Sequence, residues 1–273
     1  KKLSKILRYN SNQLAISDYC QLMERLYRQF ATGLAFFTFG FLGVFYQFML
    51  FPGLILFIRN KRHRHRLARH IIHRTFLFFI HFGKVLGIWT WETKDIEQLQ
   101  RPGLLILANH LTLVDVVFLF AFIPNASAVV KAALTKNPFT WGALKAAGYI
   151  INNEGEGLID DCITEIQTGA SLIIFPEGTR TPPGQRPKLK RGAMAIALKG
   201  AISPSLVHID CEPLSLTKNT KWWDVPNQPM HFKFEFIGDL SIKPYQEQYR
   251  THAPLAARAM SKEVFGRLFP QYD

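Results

Sequence analysis

Residues 31–58 form a run of 28 positions without a single charge, rich in Phe and Leu, with Gln47 as its one strongly polar side chain. Roughly 20 apolar residues cross a bilayer as a helix, so the run is long enough to meet lipid. Basic clusters bracket it. Lys1, Lys2, Lys5, Arg8, Arg25 and Arg28 precede it against Asp18 and Glu24, a local balance of +4. Arg59, Lys61, Arg62, Arg64, Arg66, Arg69 and Arg74 follow it with no acid, giving +7. Of the net charge of +13, only +2 is left for residues 75–273. A nucleic-acid binder would carry its cations on the globular part. Cations flanking one apolar run suit an anionic membrane surface instead.

The run starts too far into the chain, and is too long, for a cleaved signal peptide. Basic flanks on both sides place both ends on the cytoplasmic face of an inner membrane, by the positive-inside tendency. Gly40, Gly43, Pro52 and Gly53 permit a bend within it. A second apolar stretch, 76–91, is interrupted by His81 and Lys84 and ends in Trp89 and Trp91, as an interfacial helix does. These features predict a helix pair dipping into one leaflet, with a full span as the alternative. His63, His65, His70 and His73 are expected on a solvated or head-group face. The division expected is 1–92 for membrane-associating helices and 93–273 for a globular domain.

From residue 95 onward, short apolar runs alternate with amphipathic stretches. Strands are expected at 104–108, 128–130, 149–151, 172–175, 206–209 and 231–237. Helices are expected at 113–122, 138–147, 158–167, 193–199 and 256–268. Alternating strands and helices imply an α/β fold with a mostly parallel central sheet and flanking helices. The three cysteines, Cys20, Cys162 and Cys211, are widely spaced and form no Cys-x-x-Cys. That argues against a disulfide framework or a zinc site, and for a reducing compartment. No metal or cofactor is expected.

Two strings carry chemistry. Asn109-His110-x4-Asp115 follows an expected strand, at the end where α/β sheets place their sites. Histidine can take a proton from a hydroxyl near neutral pH, and a carboxylate on its second ring nitrogen fixes the tautomer. Alone this spacing is weak, since about 0.3 occurrences arise by chance in a chain with this many His and Asp. The second string, Phe175-Pro176-Glu177-Gly178-Thr179-Arg180, begins 65 residues after His110. Its Pro and Gly force a turn at a strand end, and Arg180 offers a planar, permanently charged fork for phosphate.

Together the strings resemble the glycerolipid acyltransferase family, whose bacterial members include 1-acylglycerol-3-phosphate acyltransferases. Asn109 to Asp115 is similar to the family's first block, and Phe175 to Arg180 to its third. Lys131 and Pro138 stand where the family has a Lys and a Pro. Gly148-Tyr149-Ile150-Ile151-Asn152-Asn153 resembles the second block, Lys188-Leu189-Lys190-Arg191-Gly192 a later basic-Gly segment, and Ile202-Ser203-Pro204-Ser205-Leu206 the fourth block. The resemblance covers about 95–210. It implies transfer of an acyl group from acyl-CoA or acyl carrier protein to a lipid hydroxyl, with His110 as base and Asp115 orienting it. Lys131, Glu177, Gly178, Thr179, Arg180, Lys190 and Arg191 would hold the acceptor. One position departs: Asn153 stands where the second block usually ends in a phosphate-holding Arg. Loss of such a charge-assisted contact is worth roughly 1.5–3 kcal/mol. That leaves open a non-glycerophosphate acceptor, such as a lyso-ornithine or specialised lipid. A catalytically silent lipid-binding relative is the other reading.

Overall fold

The computed structural model describes residues 2–137, 140–152 and 157–272, with side chains at 19, at 21 and beyond within those ranges. Two positions singled out above, Pro138 and Asn153, lie outside the described residues.

The chain opens with a long helix, α1 (Lys2–Phe45), which passes through a π-helical segment (Tyr46–Leu50) into α2 (Phe51–Phe57). Pro52 sits at the start of α2, where a missing N–H costs least. After a short break, α3 (Lys61–Val85) begins with Asn60, whose side chain accepts a hydrogen bond from the His63 amide at 3.1 Å. The remaining elements are β1 (Trp89–Lys94), β2 (Leu105–Ala108), α4 (Asp115–Phe122), β3 (Ala126–Lys131), α5 (Trp141–Ala147), β4 (Ile150–Asn152), α6 (Leu158–Gln167), β5 (Ser171–Ile174), α7 (Gly192–Lys199), β6 (Ser205–Glu212), β7 (Met230–Asp239) and α8 (Lys243–Leu268).

Among the described residues, seven strands form one sheet in the order β1-β7-β6-β2-β5-β3-β4. All neighbours run parallel except β6 and β7, which are antiparallel. The fold is therefore α/β with a mostly parallel, mixed sheet. Its central strands are covered on both faces. Leu105 and Leu107 of β2 point into one core with α6, α7 and α8, while Ile106 and Ala108 point into the other with α3 and α4. Double coverage explains why β2 and β5 read as unbroken apolar runs rather than alternating ones.

Three expectations need correction. Trp89 and Trp91 do not anchor a helix end. The helix stops at Val85, Gly87 turns the chain at φ +68°, and both residues lie on β1. Trp89 is buried, and its indole N–H donates to the Ile80 carbonyl at 2.9 Å. The 92/93 position expected as a domain boundary falls inside β1, which pairs with β7. Second, the basic stretch is not wholly a head-group face. Arg69 is buried and forms an ion pair with Glu165 at 2.5 Å, while its Nε donates to the Ala147 carbonyl at 2.8 Å. His73 Nδ1 lies 3.0 Å from the Phe120 carbonyl. His65 packs so closely on Gly148 that a Cβ there would come within 2.2 Å of its ring, and Gly148 turns the chain at φ +64°. Third, α8 starts well before 256. His252 breaks its regular geometry two residues ahead of Pro254, and that proline hides the first half from a periodicity reading.

The helix carrying the apolar run touches the domain just before the run and again at its middle. Arg28 Nη1 donates to the Gly87 carbonyl at 3.0 Å, and Gln29 Nε2 donates to the Trp223 carbonyl at 3.2 Å. The buried Gln47 side chain accepts from the Gly142 amide at 2.8 Å and the Ala143 amide at 3.3 Å, satisfying two of the orphan donors of α5. Between these points Phe37, Phe41 and Phe45 stay exposed, and Phe48, Met49, Leu56 and Phe57 are exposed beyond them.

Candidate active site

β2 and β5 are adjacent and parallel, with Leu107 opposite Ile174. Their C-terminal ends therefore deliver the two sequence strings to one place. The His110 and Phe175 rings stack with centroids 4.1 Å apart and planes 21° from parallel. Asn109, directly before the histidine, is buried and clamps the chain to β6. Its amide donates to the Ile209 carbonyl at 2.7 Å, and its carbonyl accepts from the Ile209 N–H at 2.6 Å.

Asp115 begins α4 and is fully buried. Its Oδ2 lies 3.0 Å from His110 Nδ1 and accepts from the Leu111 and Thr112 amides at 2.6 and 2.7 Å. Its Oδ1 accepts from the Thr112 hydroxyl at 2.5 Å. The carboxylate thus fixes both the turn that carries His110 and the imidazole itself. With Nδ1 facing a carboxylate, Nδ1 carries the hydrogen in the neutral ring. Nε2 is then left with its lone pair, at a side chain 17% exposed.

The turn after β5 completes the site. Gly178 has φ +71°, and a Cβ there would meet the Lys190 side chain at 2.8 Å. The Lys190 amide donates to the Pro176 carbonyl at 2.7 Å, so the basic segment folds back over the turn. Arg180 is half-buried, and its Nη1 donates to the carbonyls of Leu216 and Thr217, both at 2.9 Å.

Glu177 behaves differently from a residue turned toward solvent. It is buried; Oε1 accepts from the His110 amide at 3.2 Å and lies 3.4 Å from the Thr181 hydroxyl. Its Oε2 has no partner among the described residues. Burial, opposed by the His110 N–H hydrogen bond, pushes the carboxyl up to about 8 from an ordinary 4.5. The folded protein therefore keeps a proton that the unfolded chain has lost. The Glu177 contribution to stability is full below about pH 4.5 and declines as pH rises to about 8, by on the order of 1.4 kcal/mol per unit at most. Glu177→Gln, which mimics the protonated form, should gain on the parent chain steadily across that window. Urea midpoints at pH 5, 7 and 8.5 would test this; parallel pH curves for the two proteins would show that the Glu177 proton is not involved.

Not every expected residue converges on His110. Lys131 ends β3, exposed, in register with Asn152. Arg191 precedes α7 and lines a separate groove with Arg186, Arg258 and Lys262. Phe175, Asn109, Thr112 and Thr181 were not singled out by chemistry, although the first two stand inside the strings. Cys162 and Cys211 are buried thiols, and burial pushes each up to about 12, far from the range of a nucleophile. Among the described residues, no group of three His, Cys, Asp or Glu side chains converges as metal ligands would.

Residues 91–215, the stretch holding both sequence strings, match the family model described as Acyltransferase. These residues form an Acyltransferase family domain, and the relatives the chain matches are 1-acyl-sn-glycerol-3-phosphate acyltransferases. It is 28% identical over 143 residues to a 1-acyl-sn-glycerol-3-phosphate acyltransferase of Pseudomonas aeruginosa, covering 49% of this chain and 54% of that protein. It is 34% identical over 102 residues to the Helicobacter pylori protein of the same name, covering 35% and 43% of the two. The chain thus spans about half the length of the curated relatives it matches. In fold it is similar to the 1-acyl-sn-glycerophosphate acyltransferase PlsC of Thermotoga maritima, with a TM-score of 0.57, 18% identity, and coverage of 92% of this chain and 97% of that one. The match agrees with the resemblance read from the two strings.

Proposed function

We propose that this protein transfers a fatty acyl group from acyl-CoA or acyl carrier protein to the free hydroxyl of a lysolipid, 1-acylglycerol-3-phosphate or a related acceptor. The observation that carries this reading is the convergence of both strings: His110 held by the buried Asp115 and stacked on Phe175 at the head of the Glu177–Arg180 turn. His110 Nε2 takes the proton of the acceptor hydroxyl as its oxygen attacks the thioester carbonyl. The Thr179 and Arg180 amides, which have no protein acceptor among the described residues, are assigned to the developing oxyanion. As the C–O bond forms and the C–S bond breaks, the imidazolium returns its proton to the leaving thiolate. Arg180 and Lys190 face the acceptor's anionic head group, with Gly178 and Thr179 giving it close approach to the backbone. Glu177 acts as a positioning residue through the His110 amide.

The same reading puts the protein on the cytoplasmic face of an inner membrane, with the helices before β1 as the membrane-associating part and the acyltransferase domain starting at β1. The residues from Gln29 to Gln47 extend roughly 27 Å as a helix, yet both ends hydrogen-bond to the same domain. A helix crossing a bilayer would carry one of those ends to the far side. This favours the apolar run lying in one leaflet, its exposed Phe and Met side chains among acyl chains.

The acceptor is tested by offering the purified protein 1-acylglycerol-3-phosphate and lysolipids without a phosphomonoester, with labelled acyl-CoA or acyl carrier protein. Transfer to the phosphate-bearing acceptor is expected. Asn153→Arg is expected to raise its preference over the others by about tenfold, the worth of one charge-assisted contact. An unchanged ranking would remove Asn153 from acceptor selection, and preference for a head group without phosphate would overturn the proposed acceptor.

A further inference from the structure

The loop 213–229, between β6 and β7, has two faces. Its outer face carries Trp222 and Trp223, 45% and 44% exposed, with rings 5.3 Å apart and nearly perpendicular. Lys221 Nζ lies 5.2 Å from the Trp223 ring, and Leu214 is also exposed. The loop packs on the apolar helix. Trp222 lies 3.3 Å from where a Cβ on Gly33 would be, and the Trp223 carbonyl accepts from Gln29. Phe30 and Phe37 are three and four residues from Gly33, so they share its side of α1, and they are 69% and 70% exposed. The tryptophan pair therefore extends the exposed apolar stripe of the helix without a break. The inner face of the same loop reaches the site. Leu216, held at φ +54°, gives its carbonyl both to Arg180 Nη1 and to the Leu113 amide in the turn between His110 and Asp115.

From this juxtaposition we infer that loop 213–229 is a membrane-contact element. It seats Trp222 and Trp223 at the head-group level of a lipid bilayer and ties that contact to the Arg180 clamp. The inference rests on the membrane-surface reading of the apolar helix. Indole rings, with one apolar body and one N–H, favour the bilayer–water boundary, and an ammonium beside them suits lipid phosphates. In water the same pair would enlarge an already broad exposed apolar patch. A lipid surface would contact α1 and this loop at once, since the exposed stripe runs across both.

The test uses the full chain with phosphatidylethanolamine/phosphatidylglycerol vesicles whose acyl chains are brominated near the head group. Tryptophan emission should be quenched on binding, and Trp222→Phe/Trp223→Phe should lose more than half of the quenched signal while still sedimenting with vesicles. In activity, Trp222→Ser/Trp223→Ser should raise KM at least tenfold for acceptor embedded in vesicles. Its kcat/KM for a short-chain, water-soluble acceptor should stay within twofold. Sedimentation without quenching from this pair overturns the loop inference alone, as does an equal loss on both acceptors. Failure of the parent chain to sediment overturns both the loop inference and the membrane reading.

Discussion

His110→Ala is expected to lower the rate of acyl transfer by about 10²–10⁴-fold, the range for removing a positioned general base. It should leave folding and vesicle binding close to the parent. The reason is local. Removing the imidazole takes one donor from Asp115, but the Leu111 and Thr112 amides and the Thr112 hydroxyl remain. No buried charge is orphaned, although the ring's stack on Phe175 is lost. Single-turnover transfer from labelled acyl-CoA, with a thermal melt and a vesicle sedimentation in parallel, reads all three quantities. Unaltered transfer would mean that another group takes the proton.

Asp115→Asn should behave differently, losing activity and stability together. One amide oxygen replaces two carboxylate oxygens that face four donors: His110 Nδ1, the two amides and the Thr112 hydroxyl. Whichever way the new side chain turns, at least one buried donor meets an NH₂ group. Each such orphan costs about 1–3 kcal/mol. If the NH₂ faces His110, it stabilises the tautomer with hydrogen on Nε2, which cannot accept the acceptor's proton. A fall in kcat of about 10²–10⁴-fold is expected, together with a lower unfolding midpoint. If Asp115→Asn kept its activity while losing stability, Asp115 would hold only the turn, and His110 would be oriented by Phe175 and the backbone.

The contrast between these variants reflects what a linear sequence can carry. The five-residue spacing of His110 and Asp115 was legible because a short turn before a helix must bring them together. Their meeting with Phe175 depended on β2 and β5 being neighbours, which alternating strands and helices suggest but do not specify. The strands most deeply covered, β2 and β5, were read almost to the residue, because double burial writes itself as an unbroken apolar run. Misreadings arise where one residue serves a neighbour that the local sequence does not reveal. Trp89 has the composition of an interfacial anchor, yet Gly83 makes room for its ring inside the core. Arg69 sits in a basic cluster, but Glu165, almost a hundred positions later, holds it indoors. Gln47 looked like a lone polar break in an apolar run and turns out to cap α5. Glu177 lies in the most specific string of the chain, but its carboxyl turns inward to the His110 amide. For Arg69, Gln47 and Glu177 the partner is distant in sequence, and only the tertiary fold brings it near.

The measurement that bears most directly on the proposed chemistry is acyl transfer by the purified chain on vesicles containing 1-acylglycerol-3-phosphate. Labelled acyl-CoA and acyl carrier protein would be offered separately, with His110→Ala as the control. The expected result is a diacylated product from at least one donor, formed with one equivalent of released thiol and absent from the control. Thiol release without a diacylated lipid, or product formed equally by the control, would contradict transfer through His110.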